Sequence, residues 1–158
     1  MAPRTELASR GYLRGRRTLT FIDTNVLVYS TALSAPFRER ARAALARLAI
    51  KERRSLSRQI LREYLAVMTR QQAWGKALAL SEAMADASLF LRRFTVLEDG
   101  PSVWEKLVEL GQRYAFCGRQ VHDANIVATM LAHGEQQLLT FNDADFRRFA
   151  GVINIIVP

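Results

Sequence analysis

The chain has 158 residues, 49% of them apolar and 24% charged, with a formal net charge of +8. That length suits one domain with one substantial core, and the balance is that of a water-soluble globular protein. No apolar run is long enough to span a bilayer, so no membrane span is implied.

In chain order, residues 1–17 come first, with Arg4, Arg10, Arg14, Arg16 and Arg17 against a single acid, Glu6. They lack the apolar stretch of a secretory signal and read as a basic, disordered arm ahead of a domain over 18–158. The arm holds half of the charge surplus. The rest is moderately basic, which suits a polyanion such as RNA or DNA and equally suits an arginine-rich proteome. Cys117 is a single cysteine, so no internal disulfide is expected and a reducing, cytoplasmic setting is the simpler assumption.

Residues 18–25, TLTFIDTN, read as a strand that ends in Asp23 and passes directly into a helix carrying Val26, Leu27 and Tyr29. An amphipathic helix follows over 37–50, with Ala41, Leu45, Leu48 and Ala49 on its apolar face. Ser55-Leu56-Ser57 is a strand end, and Ser57 caps a helix over 60–70. Trp74-Gly75 interrupts the pattern before a helix over 77–94, a strand at 95–97 and a turn at Glu98-Asp99-Gly100. Helical spacing returns over 102–114, Gly118 breaks it, and a nearly all-apolar helix spans 121–133. A strand at 137–141, a brief helix at 143–149 and a strand at 152–157 complete the chain. This alternation predicts an α/β fold, a mostly parallel five-stranded sheet covered on both faces.

Four acids stand out against that pattern. Asp23 sits at a strand's carboxyl end, where open parallel sheets place their chemistry, although capping the next helix would also explain it. Glu63 lies at the margin of the apolar arc formed by Ile60, Leu61, Tyr64, Leu65, Val67 and Met68, where a glutamate that reaches solvent is the simpler reading. Asp123 falls in the first turn of the apolar helix, among neighbours that make a bare carboxylate costly. Asp145 remains after Asn142 or Asp143 has capped the brief helix.

If these acids meet, two like charges ~5 Å apart at an effective dielectric of ~20 repel by roughly 3 kcal/mol. A hard divalent cation removes that liability. Oxygen donors with few histidines favour Mg²⁺ or Mn²⁺ over zinc, and such sites serve phosphoryl chemistry. His122 and His133 have no third nitrogen or thiol nearby, which argues against zinc. Tyr64 and Trp74 are candidates for stacking on bases, with core packing as the plainer alternative.

Four segments together resemble the PIN domain family, in particular its VapC toxins: FIDTNVLVY, ILREYL, VHDANIVATMLAHG and LLTFNDADFRRF, in that order and covering about 19–157. The resemblance implies a three-layer α/β/α sandwich and a Mg²⁺- or Mn²⁺-dependent endoribonuclease. It also implies a homodimer inhibited by a partner antitoxin. The family's acids fall on Asp23, Glu63 and Asp123, and the fourth on Asp145 with Asp143 in reserve. Asp23 and Asp123 are the implied metal ligands. Thr24, Asn25, Thr140 and Asn142 are expected to hold the carboxylates or a water, and Arg119 is a candidate for meeting a phosphate.

Other aspartate-based folds fit less well. A haloacid-dehalogenase-like phosphatase needs an aspartate where Asn25 stands, and a receiver domain needs a late lysine, whereas the last here is Lys106. A non-catalytic module that binds RNA or protein remains the alternative from a different class.

Overall fold

The computed structural model describes residues 19–51 and 53–158. The basic arm at 1–17 therefore lies outside the described residues. The strands are β1 (Leu19–Ile22), β2 (Arg53–Ser57), β3 (Thr95–Leu97), β4 (Gln137–Leu139) and β5 (Asn154–Ile156). Between them run α1 (Thr24–Thr31), α2 (Arg38–Lys51), α3 (Arg58–Met68), α4 (Leu80–Arg93), α5 (Pro101–Arg113), α6 (Gln120–Ala132) and α7 (Asp143–Phe146). A 3-10 turn, Arg147–Phe149, extends α7 and completes the predicted brief helix.

The sheet order is β3-β2-β1-β4-β5 and every neighbouring pair is parallel. Parallel crossovers are right-handed, and that rule distributes the helices. The chain steps from β1 to β2 to β3 in one direction, which lays α1–α4 on one face. It then crosses back to β4 and on to β5, which lays α5–α7 on the other. Packing agrees: α1 contacts α2 and α3, α3 contacts α4, and α5 contacts α6. The result is a three-layer α/β/α sandwich. The direction reverses between β1 and β4, and the crevice beyond their carboxyl ends is the switch point at which such sheets bind ligands.

Both faces of the sheet are covered, so strand residues are buried with little alternation. Phe21, Ile22, Leu56 and Leu138 are fully enclosed, with Ile60 and Tyr64 from one helical layer and Val127, Met130 and Phe149 from the other. Three expectations change. On α2 the buried stripe is Ala41, Ala44 and Leu48, while Ala49 is exposed, because Ala44 lies one turn from both of the others. Tyr64 has no exposure; its hydroxyl lies 2.7 Å from Asp86 Oδ2 and 3.1 Å from Thr31 Oγ1, so it is a core residue and presents no face to a base. Asn142 occupies the capping position of α7 without a side-chain capping bond, and Asp143 instead pairs with Arg147 at 2.6 Å on the surface.

Candidate active site

Asp23 extends the β1–β4 ladder by one bond, its N–H donating to Leu139 O at 3.0 Å. Its side chain then turns into the crevice. Oδ1 accepts from the Thr24 N–H at 2.7 Å, so Asp23 does cap α1. Oδ2 accepts from Asn25 Nδ2 at 2.7 Å and from the Thr140 hydroxyl at 2.6 Å. Capping and facing the crevice are thus one arrangement.

Asn25 and Thr140 lock each other as well as Asp23. Asn25 Nδ2 also reaches Thr140 Oγ1 at 3.1 Å, and Asn25 Oδ1 accepts from the Phe141 N–H at 3.0 Å. Thr140 Oγ1 accepts in addition from the Asn142 N–H at 2.9 Å, which uses the hydroxyl's donor and both lone pairs. The carboxylate of Asp23 is held from three sides by the ends of β1 and β4.

Glu63 comes from α3. Its Oε2 accepts from the Thr24 hydroxyl at 2.6 Å and its Oε1 from Gln59 Nε2 at 2.8 Å. Gln59, which sequence reasoning missed, is the clamp between the two helical layers. Its Nε2 also donates to His122 O at 3.0 Å, and its Oε1 accepts from Asn125 Nδ2 at 2.8 Å. Gln59→Leu keeps the bulk and leaves Asn125 and Glu63 each short of a partner. If the cleft is catalytic, turnover should fall about 10–100-fold with the fold retained, the usual cost of losing a residue that orients an active-site carboxylate. Steady-state rates beside a circular dichroism melt check this; unchanged turnover would remove Gln59 from the site.

Asp23, Glu63, Asp123 and Asp145 all line one cleft of about 440 Å³, together with Thr24, Asn25, Asn142 and Arg119. Val28, Tyr29, Val67 and Trp74 form its apolar wall. Asp143 does not reach the cleft. Burial pushes the Asp23 carboxyl up to about 6; the Thr140 and Thr24 hydrogen bonds oppose this, and the charges of Glu63 and Asp123 add to it. Asp123 also rises to about 6, through burial and the charges of Asp145 and Glu63, against the pull of Arg148 and His122. None of the four acids enters an ion pair among the described residues.

The same residues do not form a closed cage: among the described residues no group of three or more His, Cys, Asp or Glu side chains is arranged to hold a metal ion by itself. The donor chemistry nevertheless fits a hard cation. Mg²⁺ keeps several waters and is commonly held by one or two carboxylates plus substrate phosphates. A rim of oxygens around an open cleft suits that mode. His133 is bonded to Glu98 O at 2.9 Å and lies outside the cleft lining, as does His122.

A parallel sheet with mutually repelling carboxylates at its switch point defines the class, an acid-lined α/β protein whose oxygen donors suit a hard cation. Residues 20–152 match the PIN domain family, and the chain belongs to that family. It is 30% identical over 133 residues to ribonuclease VapC48 of Mycobacterium tuberculosis, across 82% of this chain and 91% of that protein. Its fold is similar to the crystal structure of VapC20 from M. tuberculosis, a sarcin–ricin loop cleaving toxin, with a TM-score of 0.61, 21% identity and coverage of 86% and 97%. VapBC2 from Rickettsia felis, crystallised with a DNA fragment from its promoter, gives a TM-score of 0.63 at 19% identity, covering 89% of this chain and 98% of that one.

Proposed function

We propose that this protein is a Mg²⁺- or Mn²⁺-dependent endoribonuclease, the toxin of a type II toxin–antitoxin pair restrained by a cognate antitoxin protein. The observation that carries the reading is the gathering of Asp23, Glu63, Asp123 and Asp145, from four separate segments, around one cleft. Membership of the PIN family and the likeness to ribonuclease VapC48 supply the reaction class. The similar fold of a chain in a toxin–antitoxin complex from Klebsiella pneumoniae supports the antitoxin partner.

Asp23 and Asp123 would hold the cation. When bound it would neutralise charge on the scissile phosphate and lower the pKa of an attacking water. Thr140 and Asn25 fix the Asp23 carboxylate in place. Glu63, oriented by Thr24 and Gln59, and Asp145 stand to accept the proton of a water that attacks phosphorus in line. The new bond joins water oxygen to phosphorus, the P–O3′ bond breaks, and the leaving oxygen takes up a proton. The ribose 2′-OH stays out of the reaction, so the products carry a 5′-phosphate and a 3′-hydroxyl. Arg119, on the cleft wall, would meet the substrate phosphate.

Self-association into a homodimer belongs to the same proposal. Leu80, Met84 and Leu91 stay exposed along one stripe of α4, and Trp104 and Val108 along one stripe of α5.

The test is end analysis of RNA incubated with Mg²⁺ or Mn²⁺, and with EDTA. Cleavage that needs the cation and leaves 5′-phosphates is the expected result. Cyclic-phosphate ends, or cutting that EDTA does not affect, overturn the mechanism. With no cleavage and no cation-induced rise in Tm, a binding module becomes the better account.

A further inference from the structure

At the opposite end of the sheet from the acid cleft, a concavity of about 370 Å³ has Arg53, Arg54, Arg92 and Arg93 as its charged lining. Among the described residues no carboxylate lines it, and none of the four arginines forms an ion pair. The parallel register Ser55↔Thr95 brings the start of β2 alongside the end of α4, so the four side chains converge although they come from two elements. Cations are favoured in the last turn of a helix, which accounts for Arg92 and Arg93 on α4. It does not account for Arg53 and Arg54, which sit on a strand.

The arrangement has fixed parts. The Arg54 guanidinium lies over the Phe94 ring, 4.6 Å from its centroid, and Phe94 is buried. The Arg54 pKa is lowered by burial and then by the neighbouring charge of Arg93, so these two cations repel each other in the free protein. A bound anion relieves that repulsion. Guanidinium forks match phosphate oxygens two at a time, and among the described residues Phe94 and Ala49 are the sole apolar side chains of the lining, which leaves little to anchor a peptide.

We propose that this arginine pocket binds backbone phosphates of RNA, as a second anchor remote from the cleft. Strand geometry sets the two roughly 15 Å apart. The pocket sits at the β3 edge of the sheet, so an RNA longer than the cleft reaches it by passing around that edge. The inference rests on the RNA-directed reading above but not on catalysis, because it concerns binding alone.

Arg92 and Arg93 are exposed, so R92Q/R93Q removes two charges without disturbing the core. The measurement is fluorescence anisotropy of a labelled RNA hairpin and of a labelled six-nucleotide RNA, in EDTA, across a salt series. Loss of two phosphate contacts should weaken hairpin binding roughly ten- to fifty-fold near 0.1 M salt and flatten the log K against log salt slope by about 1.5. Binding of the short RNA, which carries enough phosphates to fill the pocket, should weaken in the same direction. Unaltered hairpin affinity and slope overturn the proposal. So does poly-glutamate that competes as well as RNA of equal charge, since the pocket would then serve an acidic protein. A wild type that binds the hairpin through these arginines but cuts nothing defeats the nuclease reading and leaves this one standing.

Discussion

Asp23→Asn is expected to lower the rate of RNA cleavage by two to three orders of magnitude, the range seen when one preorganised charge-stabilising group leaves an active site. The substitution preserves shape and removes charge. It also reverses a hydrogen bond, because Oδ2 accepts from Asn25 Nδ2 and from the Thr140 hydroxyl. An asparagine amide presents either its NH₂ to those donors or, flipped, its NH₂ to the Thr24 N–H. Whichever way it turns, two donors face each other, so the residue is both neutral and misdirected. Thr140→Val removes one of the three bonds that aim Asp23 and leaves its charge, so its loss should be smaller, about 10–100-fold. Single-turnover cleavage by the wild type and both variants checks the order, with circular dichroism to confirm folding. Asp23→Asn within threefold of wild type would sink the proposed chemistry.

Much of this site is written locally in the chain. Asp23 follows an apolar run that has to be a buried strand, so its position at a carboxyl end is readable from residues 19–23 alone. Asp123 betrays itself by standing next to Ala124, Ile126 and Val127, which are buried. Glu63 is different. Its place at the edge of an apolar arc is equally that of a solvated glutamate, and the family resemblance singled it out.

The parts that were not legible are those created when distant elements meet. Gln59 lies one helical turn before Glu63, yet its partners on α6 are 63 and 66 residues away and follow only from how α3 and α6 pass each other. Element ends behave the same way. Helix α4 starts at Leu80 rather than 77 because the Leu78 N–H is taken by Met68 O at 2.8 Å, and Glu82 then caps the Ala79 N–H at 2.9 Å. Strand β4 stops at Leu139 because the Phe141 N–H is claimed by the Asn25 side chain.

The cation-free protein should melt at a higher temperature at pH 5 than at pH 7.5, and Mg²⁺ or Mn²⁺ should erase that difference. The Asp23 carboxyl titrates near 6 in the fold against an ordinary 3.8, so the folded chain binds its proton more tightly than the unfolded chain does. Stability therefore falls as pH rises from about 4 to about 6, and little further change follows above 7. One pKa unit corresponds to about 1.4 kcal/mol, so ionising buried Asp23 costs about 3 kcal/mol at neutral pH and roughly half of that at pH 5.

Asp123 shifts in the same direction but is half-buried, and water screens part of its effect. Glu98 and Asp143 are lowered by Arg58 and Arg147, and their contributions are lost only as pH falls below the ordinary carboxylate range, outside this window. The net expectation is a rise of roughly 3–6 °C in Tm on going from pH 7.5 to 5.

A divalent cation held by Asp23 and Asp123 requires both ionised, so its binding should release protons at pH 6 and almost none at pH 8. Calorimetric titrations in two buffers of different ionisation enthalpy read that number directly. A cation-free Tm that is level between pH 5 and 7.5 would mean that Asp23 carries no burial penalty. Cation binding without proton release at pH 6 would place the ion away from these two aspartates.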